Sequence, residues 1–464
     1  MKLLLKLLIF AAIVLPLSGV TTKAESTKAQ IEDLKRQIEA IQRQNQQQIE
    51  QLQQQIELMD NARQADKEEI VQMKEEEKDA WYSKFKAQYK KGLTFQAGDK
   101  FKMRFRIRGQ FRLTVDDPDG GLTSTNFSVP RLRLKWDGFA FKPWFLYTVQ
   151  LNVNDDLDLR DMYFTVAYDD RIMPRVGQWK VPFGRDELTS SSALQFVNRS
   201  IVNDEFGLGR DRGAALMGGF GPQGNFSYGA GVFNGDGRNG RSVDSNLLYA
   251  GRIQLGLGGK ETTFGGLFRG ANSSFPTASA YKIIPNFAKS PTFVVGAAAS
   301  TIPGLNCDRK SPDGDQCDRF DELGLVQADM TTITGDINFK MPIFNVQGSY
   351  YGRWINPDEQ GISQDTAFDQ GFNVQAGAFL MPKTFEVAGR YSYIDYDTSS
   401  GVLPPDVGIT RDSSWTLSPS LNYYISHDNR WKVQLEYLFT RSEFTQGASK
   451  EDDNRVSLQL QAYF

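Results

Sequence analysis

The residues best suited to chemistry in this chain are arginines, and they recur at a fixed spacing. In FKMRFRIRGQFRL, residues 101–113, Arg104, Arg106, Arg108 and Arg112 share one parity with Lys102 and Gln110. Phe101, Met103, Phe105, Ile107, Phe111 and Leu113 share the other. Further on, Arg131, Arg133 and Lys135 alternate with Leu132, Leu134 and Trp136. A guanidinium stays ionised and presents a fork of donors that matches an oxyanion, so the chemistry open to such rows is attraction and passage of anions. Catalysis has little else to work with. The chain holds one histidine, His427, and two cysteines, Cys307 and Cys317, which argues against a histidine triad or a His/Cys metal centre. Neither an enzyme nor a cofactor is expected.

Side chains two apart share a face only in a β-strand, so strands must position these arginines. The same period runs to the end of the chain. Phe385, Val387, Tyr391 and Tyr393 oppose Glu386, Arg390 and Ser392, and Val456, Leu458, Leu460 and Phe464 oppose Arg455, Ser457, Gln459 and Gln461. Short turns at 340–342, 381–383 and 427–429 alternate with long polar loops at 355–370, 397–412 and 442–453. Alternating strands with short turns on one side and long loops on the other predict an all-β fold, a transmembrane antiparallel β-barrel of the bacterial outer membrane. Its apolar parity then faces lipid and its polar parity faces the lumen, the reverse of a soluble barrel. Counting back from Phe464 gives about sixteen strands, with eighteen the alternative if residues 262–290 add two. Cys307 and Cys317 then lie in one external loop, where an intra-loop disulfide is expected. The aspartates around them lack calcium-loop spacing and read as a solvated loop.

The N-terminal region differs in kind. Lys2 and Lys6 precede an apolar run at 7–17, which predicts a secretory signal peptide over residues 1–24. Residues 25–80 lack glycine and proline, and Ile31, Leu34, Ile38, Ile41, Asn45, Ile49, Leu52, Ile56 and Met59 form a 3,4-spaced seam. That pattern predicts a periplasmic coiled coil, hence an oligomer, with Asn45 as the polar seam residue that fixes register. Residues 81–99 read as a linker and residues 100–464 as the barrel. The mean hydropathy of −0.44 excludes a helical multi-span protein.

Several segments are similar to one known family. RLRLKWDG carries Arg131, Arg133, Leu134 and Gly138, and Pro143 and Trp144 follow. LDLRDMY carries Leu159, Asp161 and Tyr163. GQWKVPFGRDELTSS starts at Gly177, Arg199 and Ser200 come next, and GRDRG starts at Gly209. Together these resemble the phosphate-selective porin O and P family of trimeric sixteen-stranded outer-membrane channels. The resemblance implies that residues 182–212, after the fifth strand, fold inward and bring Lys180, Arg185, Arg199, Arg210 and Arg212 near a constriction. It also implies a homotrimer, with the coiled coil as an N-terminal extension. The family's anion selectivity rests on arginines and a lysine cluster. Here no lysine cluster is found, and Asp186, Glu187, Asp204, Glu205 and Asp211 stand among the loop arginines.

The function expected is therefore passive diffusion of small hydrophilic solutes, anion-preferring, with phosphate-type oxyanions among the candidates. Arg104, Arg106, Arg108, Arg112, Arg131, Arg133 and Lys135 are the expected pore-lining residues. If Asp116, Asp117, Asp119, Asp155, Asp156, Asp158 and Asp161 pair with them, the pore is a non-selective general porin. A third reading is a structural tether, in which the coiled coil contacts peptidoglycan or periplasmic envelope components and the barrel is an anchor. The partners expected are outer-membrane lipid, further copies of the chain and small anions, and not nucleic acid.

Overall fold

The structure, a computed structural model, describes residues 24–79, 85–89, 92–220, 225–240, 245–258, 291–307, 317–357, 365–399, 410–445 and 450–464. The expected signal peptide and residues 262–290 lie outside them, apart from Ala24 at the start of the helix. The chain separates into two units, residues 1–83 and 84–464. In the first, α1 (Ala24–Asp79) is one helix of 56 residues, built from strong helix formers without a breaker. Its apolar seam is half exposed: Ile31, Leu34, Ile38, Ile41, Ile49, Leu52 and Ile56 all keep half or more of their surface.

The second unit is a barrel. Its wall runs through β3 (Phe101–Asp117), β4 (Ser124–Ala140), β5 (Phe145–Asn152), β6 (Asp158–Val166), β7 (Met173–Lys180), β8 (Arg210–Phe220), β9 (Phe226–Phe233) and β10 (Leu248–Gly258). It continues through β11 (Thr292–Asn306), β12 (Gln327–Lys340), β13 (Phe344–Pro357), β14 (Ala367–Met381), β15 (Phe385–Asp395), β16 (Arg411–Tyr424), β17 (Trp431–Phe444) and β18 (Lys450–Tyr463). Each strand pairs antiparallel with the next, and β18 pairs back onto β3, closing sixteen strands without a free edge. The choice between sixteen and eighteen is decided by β10 and β11. They pair directly, with Gly258 opposite Thr292, so the wall has no gap for two strands from residues 262–290.

Two further strands do exist, in the stretch read as a linker. β1 (Phe85–Tyr89) and β2 (Leu93–Ala97) form a hairpin. β2 pairs with the first residues of β3, Leu93 opposite Phe105, beyond the point where β18 ends at Tyr463 opposite Arg108. The backbone of Phe464 exchanges two hydrogen bonds with Ile107, at 2.9 and 3.0 Å. β2 thus satisfies the part of the β3 edge that β18 leaves uncovered. Gly92, at φ 114°, is the turn residue: a Cβ there would lie 2.6 Å from the Phe105 carbonyl oxygen.

Outside, the wall is apolar and exposed, with Ile253, Ile337, Val374, Leu417, Leu435 and Leu458 among the residues facing lipid. Inside, the simple rule of a polar, watery lumen holds for only part of the circumference. Helices α2 (Arg185–Leu188) and α3 (Ile201–Phe206), between β7 and β8, and α4 (Asp318–Leu323), between β11 and β12, contribute to an apolar core. Phe183, Leu188, Val202, Phe206, Phe320 and Leu323 are buried there with Tyr351, Ile355 and Tyr396. The expected disulfide, Cys307–Cys317, is present and ties the start of α4 back to the end of β11.

Candidate functional site: a constriction lined by arginine

Strand register decides which arginines confront each other. Arg108 lies opposite Arg133, Arg106 opposite Lys135, Gln110 opposite Arg131, and Arg104 opposite Asp137. Like charges facing across a strand pair are unfavourable, so each needs a partner elsewhere. Asp137 supplies one for the lower part of the row. Its carboxylate binds Arg104 at 2.5 Å and also Arg106. Lys135 lies within electrostatic reach of the same carboxylate.

Higher in the row the partners are neutral. Arg108 and Arg133 both donate to Ser191 Oγ, at 2.8 and 2.9 Å, and Arg131 donates to Gln110 Oε1 at 2.9 Å. Arg112 donates to Gln459 Oε1 at 2.9 Å and to Asn198 Oδ1 at 3.1 Å. Among the described residues, none of these four has a carboxylate within ion-pair distance. Arg108 is buried, and the Nε atoms of Arg108 and Arg133 are buried without a hydrogen-bond partner. The acids expected to neutralise the row go elsewhere: Asp116 pairs with Arg455, Asp158 with Arg160 and Arg238, and Asp161 with Arg210.

Ser191 is placed by the β7–β8 connection, which turns into the lumen as the resemblance implies. Arg185 binds Asp336 on β12 at 2.6 Å, and Arg252 on β10 binds the same carboxylate at 2.7 Å. Gly296 leaves the room for this triad, since a Cβ there would fall 2.2 Å from an Arg252 nitrogen and 2.9 Å from Asp336 Oδ1. The Val197 N–H donates to Glu436 on β17 at 2.7 Å, and Arg390 on β15 donates to the Asn198 carbonyl at 3.0 Å. Ser200 caps α3 by accepting from the Asn203 N–H, and Glu205 binds Arg353 on β13 at 2.7 Å. The segment therefore bonds to the inner wall from β10 round to β4.

A second cluster forms on the loop itself. Glu187 gathers Arg199 at 3.1 Å and Lys180 and Arg210 at 3.6 Å. Burial alone would raise the Glu187 carboxyl, but Arg199, Lys180, Arg210 and Arg133 outweigh it and hold it at about 2. Of the five cations expected at the constriction, Lys180, Arg199 and Arg210 thus converge. Arg185 is instead a wall anchor. Arg212 is exposed and donates to the Gly240 carbonyl at 3.0 Å, so it stays apart from that cluster.

Sequence reasoning did not single out Asp137 or Ser191. Asp137 was legible, because it shares the parity of Arg131, Arg133 and Lys135. Ser191 carried no local signal, since its role depends on a contact 83 residues away in sequence. Among the described residues, no group of His, Cys, Asp and Glu is arranged to hold a metal ion.

Residues 101–259, which hold β3 to β10 and the inward segment, match the family described as phosphate-selective porin O and P. No curated protein matches the sequence. Among solved structures, the chain is similar to the trimer form of OmpT, an outer membrane protein of Vibrio cholerae, at 11% identity and a TM-score of 0.50, covering 78% of this chain and 99% of that one. An anion-selective porin from Comamonas acidovorans is similar at 10% identity and a TM-score of 0.50, again over 78% and 99%. At these identities the two structures speak for the fold. The matched region holds the arginine-bearing strands and the inward segment, so residues 101–259 are similar to the phosphate-selective porin O and P family, and the barrel as a whole has the fold of outer-membrane porins.

Proposed function

We propose that this channel passes small hydrophilic solutes with a preference for anions, phosphate-type oxyanions included. The observation that carries this reading is the row Arg108, Arg131 and Arg133, joined by Arg112, whose partners are a serine hydroxyl and side-chain amides in place of carboxylates. A guanidinium paired with a neutral acceptor keeps its whole charge available to an ion in the lumen, whereas Arg104 and Arg106 lose one of their two charges to Asp137. The Comamonas acidovorans structure named as an anion-selective porin fits the same reading.

The test is the reversal potential of reconstituted channels in a KCl gradient, repeated with phosphate as competitor. An anion-selective potential with phosphate block is expected. A cation-selective potential would overturn the reading, and anion selectivity without block would restrict it to a general anion porin. The half-exposed seam of α1 supports a homotrimer joined by a three-helix coiled coil on the periplasmic side. A tethering role, with that coil touching peptidoglycan or another envelope component, is the reading that gains if reconstituted barrels carry no current.

A further inference from the structure

The inward segment leaves β7 at the end of the barrel far from the chain's C-terminus, yet its tip ends near the opposite rim. Gln195 contacts Asn345 and Glu386, each the second residue of its strand, and Leu194 contacts Lys432, the second residue of β17. These strand starts lie at the same end as Phe464. The tip therefore reaches down most of the wall, and something must hold it there.

Glu386 is the centre of that attachment. Its side chain is fully buried, and its hydrogen-bond donors are all neutral. Gln195 Nε2 donates to Oε1 at 2.7 Å and Asn345 Nδ2 at 2.9 Å. The Tyr424 hydroxyl donates to Oε2 at 2.8 Å and Asn422 Nδ2 at 3.2 Å. The Gln195 carboxamide is used on its other side too, accepting from Gln375 Nε2 at 3.0 Å. Lys432 does not neutralise Glu386 by a direct ion pair; it donates to the Leu194 carbonyl at 2.7 Å. A buried carboxylate is costly unless its lone pairs are filled, so three wall residues and one loop residue are drawn to one point. The wall is shaped for this: a Cβ on Gly377 would fall 2.2 Å from Gln195 Nε2 and 2.7 Å from Glu386 Oε1.

We infer that Glu386 is the positioning residue of the constriction, a latch that fixes the depth of the inward segment through Gln195 and so holds Ser191 against Arg108 and Arg133. This inference rests on the reading of the segment as the constriction. It assigns a specificity-determining role to a residue that touches no solute. Glutamine at 386 keeps the size of the side chain but turns one acceptor oxygen into a donor, so the four donors can no longer all be accepted. Alanine at 377 keeps the Glu386 carboxylate in the chain but wedges a methyl group between it and the Gln195 amide, 2.2 Å from Gln195 Nε2 and 2.7 Å from Glu386 Oε1.

The experiment uses the full chain with Ala193, a buried neighbour of the tip, replaced by cysteine as a reporter, since both native cysteines are in the disulfide. Reaction of Ala193→Cys with a small thiol reagent is timed in four backgrounds: unchanged, Glu386→Gln, Gly377→Ala, and Glu386→Gln with Gln195→Ala. Single-channel conductance is measured on the same proteins, and heat-modifiable electrophoresis checks that each barrel is folded. A hydrogen bond to a charged group is worth roughly 1.5–3 kcal/mol, so labelling should quicken at least about tenfold in each single variant. Conductance should rise with it, and the double variant should add nothing further. Unchanged labelling in folded Gly377→Ala overturns the latch, as does a double variant that labels clearly faster than Glu386→Gln alone. Labelling tests the latch without current, so a wild-type channel lacking anion preference would sink the proposed function and leave the latch itself intact.

Discussion

Two arginine pairs at neighbouring levels of the β3–β4 wall behave differently because of a single aspartate. Arg104 and Arg106 share Asp137, whereas Arg108 and Arg133 share a serine hydroxyl. A unit charge acting through water on an ion about 4 Å away is worth about 1 kcal/mol, or roughly a fivefold change in local concentration. Glutamine at Arg108, Arg131 and Arg133 together should therefore lower the anion-to-cation permeability ratio several-fold, while Arg104→Gln combined with Asp137→Asn, which removes one charge of each sign, should change it little. Reversal potentials of the two variants decide this, and equal effects would contradict the distinction. Glu187 works in the opposite sense, since it holds Arg199, Lys180 and Arg210. Glu187→Gln should shift the reversal potential further toward anions. Its pH behaviour follows from a depressed carboxyl. The folded state binds this proton less readily than the unfolded chain, so the stabilisation is present above the ordinary carboxylate range and fades as pH falls toward about 2. Loop labelling at Ala193→Cys, taken relative to a free thiol at the same pH because only the thiolate reacts, should accordingly stay constant from about pH 7 to about pH 5.

At the scale of elements, the helices inside the barrel are too short to be stable alone and exist because the wall supplies their partners. α3 has six residues, and α4 also has six. One buried network joins them: Arg353 binds Glu205 and Asp369 at 2.7 Å each, and Arg319 binds Asp369 and Glu322 at 3.0 Å each. Gly371 is part of the seat, for a Cβ there would meet Phe206 at 2.9 Å. Asp369→Asn would leave two buried guanidiniums short of their shared carboxylate. Breaking such a pair by removing one partner costs about 3–5 kcal/mol, so the heat-modifiable transition of the barrel should move to lower temperature. An unchanged transition would mean the network is hydrated and the helices are held by apolar packing alone.

At the scale of the molecule, the barrel solves its edges by closure and α1 cannot solve its own. A seam of isoleucine and leucine is left half in water, and the proposed homo-oligomer would cover it with other copies of the same seam. Aspartate at Ile38 and Leu52 should therefore lower the oligomer measured by sedimentation in detergent, while the conductance per barrel is retained. Retention of the oligomer would place the subunit contacts on the barrel wall. Within the barrel, apolar packing of α2, α3 and α4 fills the side formed by β7 to β15. Arg112, Arg131, Arg133 and Lys135 remain partly exposed on the β3–β4 wall. Solute passage is then expected along that wall, off the barrel axis.

The sequence by itself determined the strands, the lipid-facing parity and the arginine rows, because a period of two is a local property that each segment states independently. It also determined the helix and its seam for the same reason. The paired cysteines were legible because ten residues separate them. The tertiary structure alone decided which arginines remain without a carboxylate, since that depends on register between strands and on acids that choose among several cations. It alone placed the hairpin strands β1 (Phe85–Tyr89) and β2 (Leu93–Ala97) within the stretch read as a linker, because β2 covers an edge of β3 that the end of β18 leaves exposed. Ser191, Gln195 and Glu386 gain their roles from contacts between segments 36 to 191 residues apart, and no pattern within a short stretch of chain encodes such a distance.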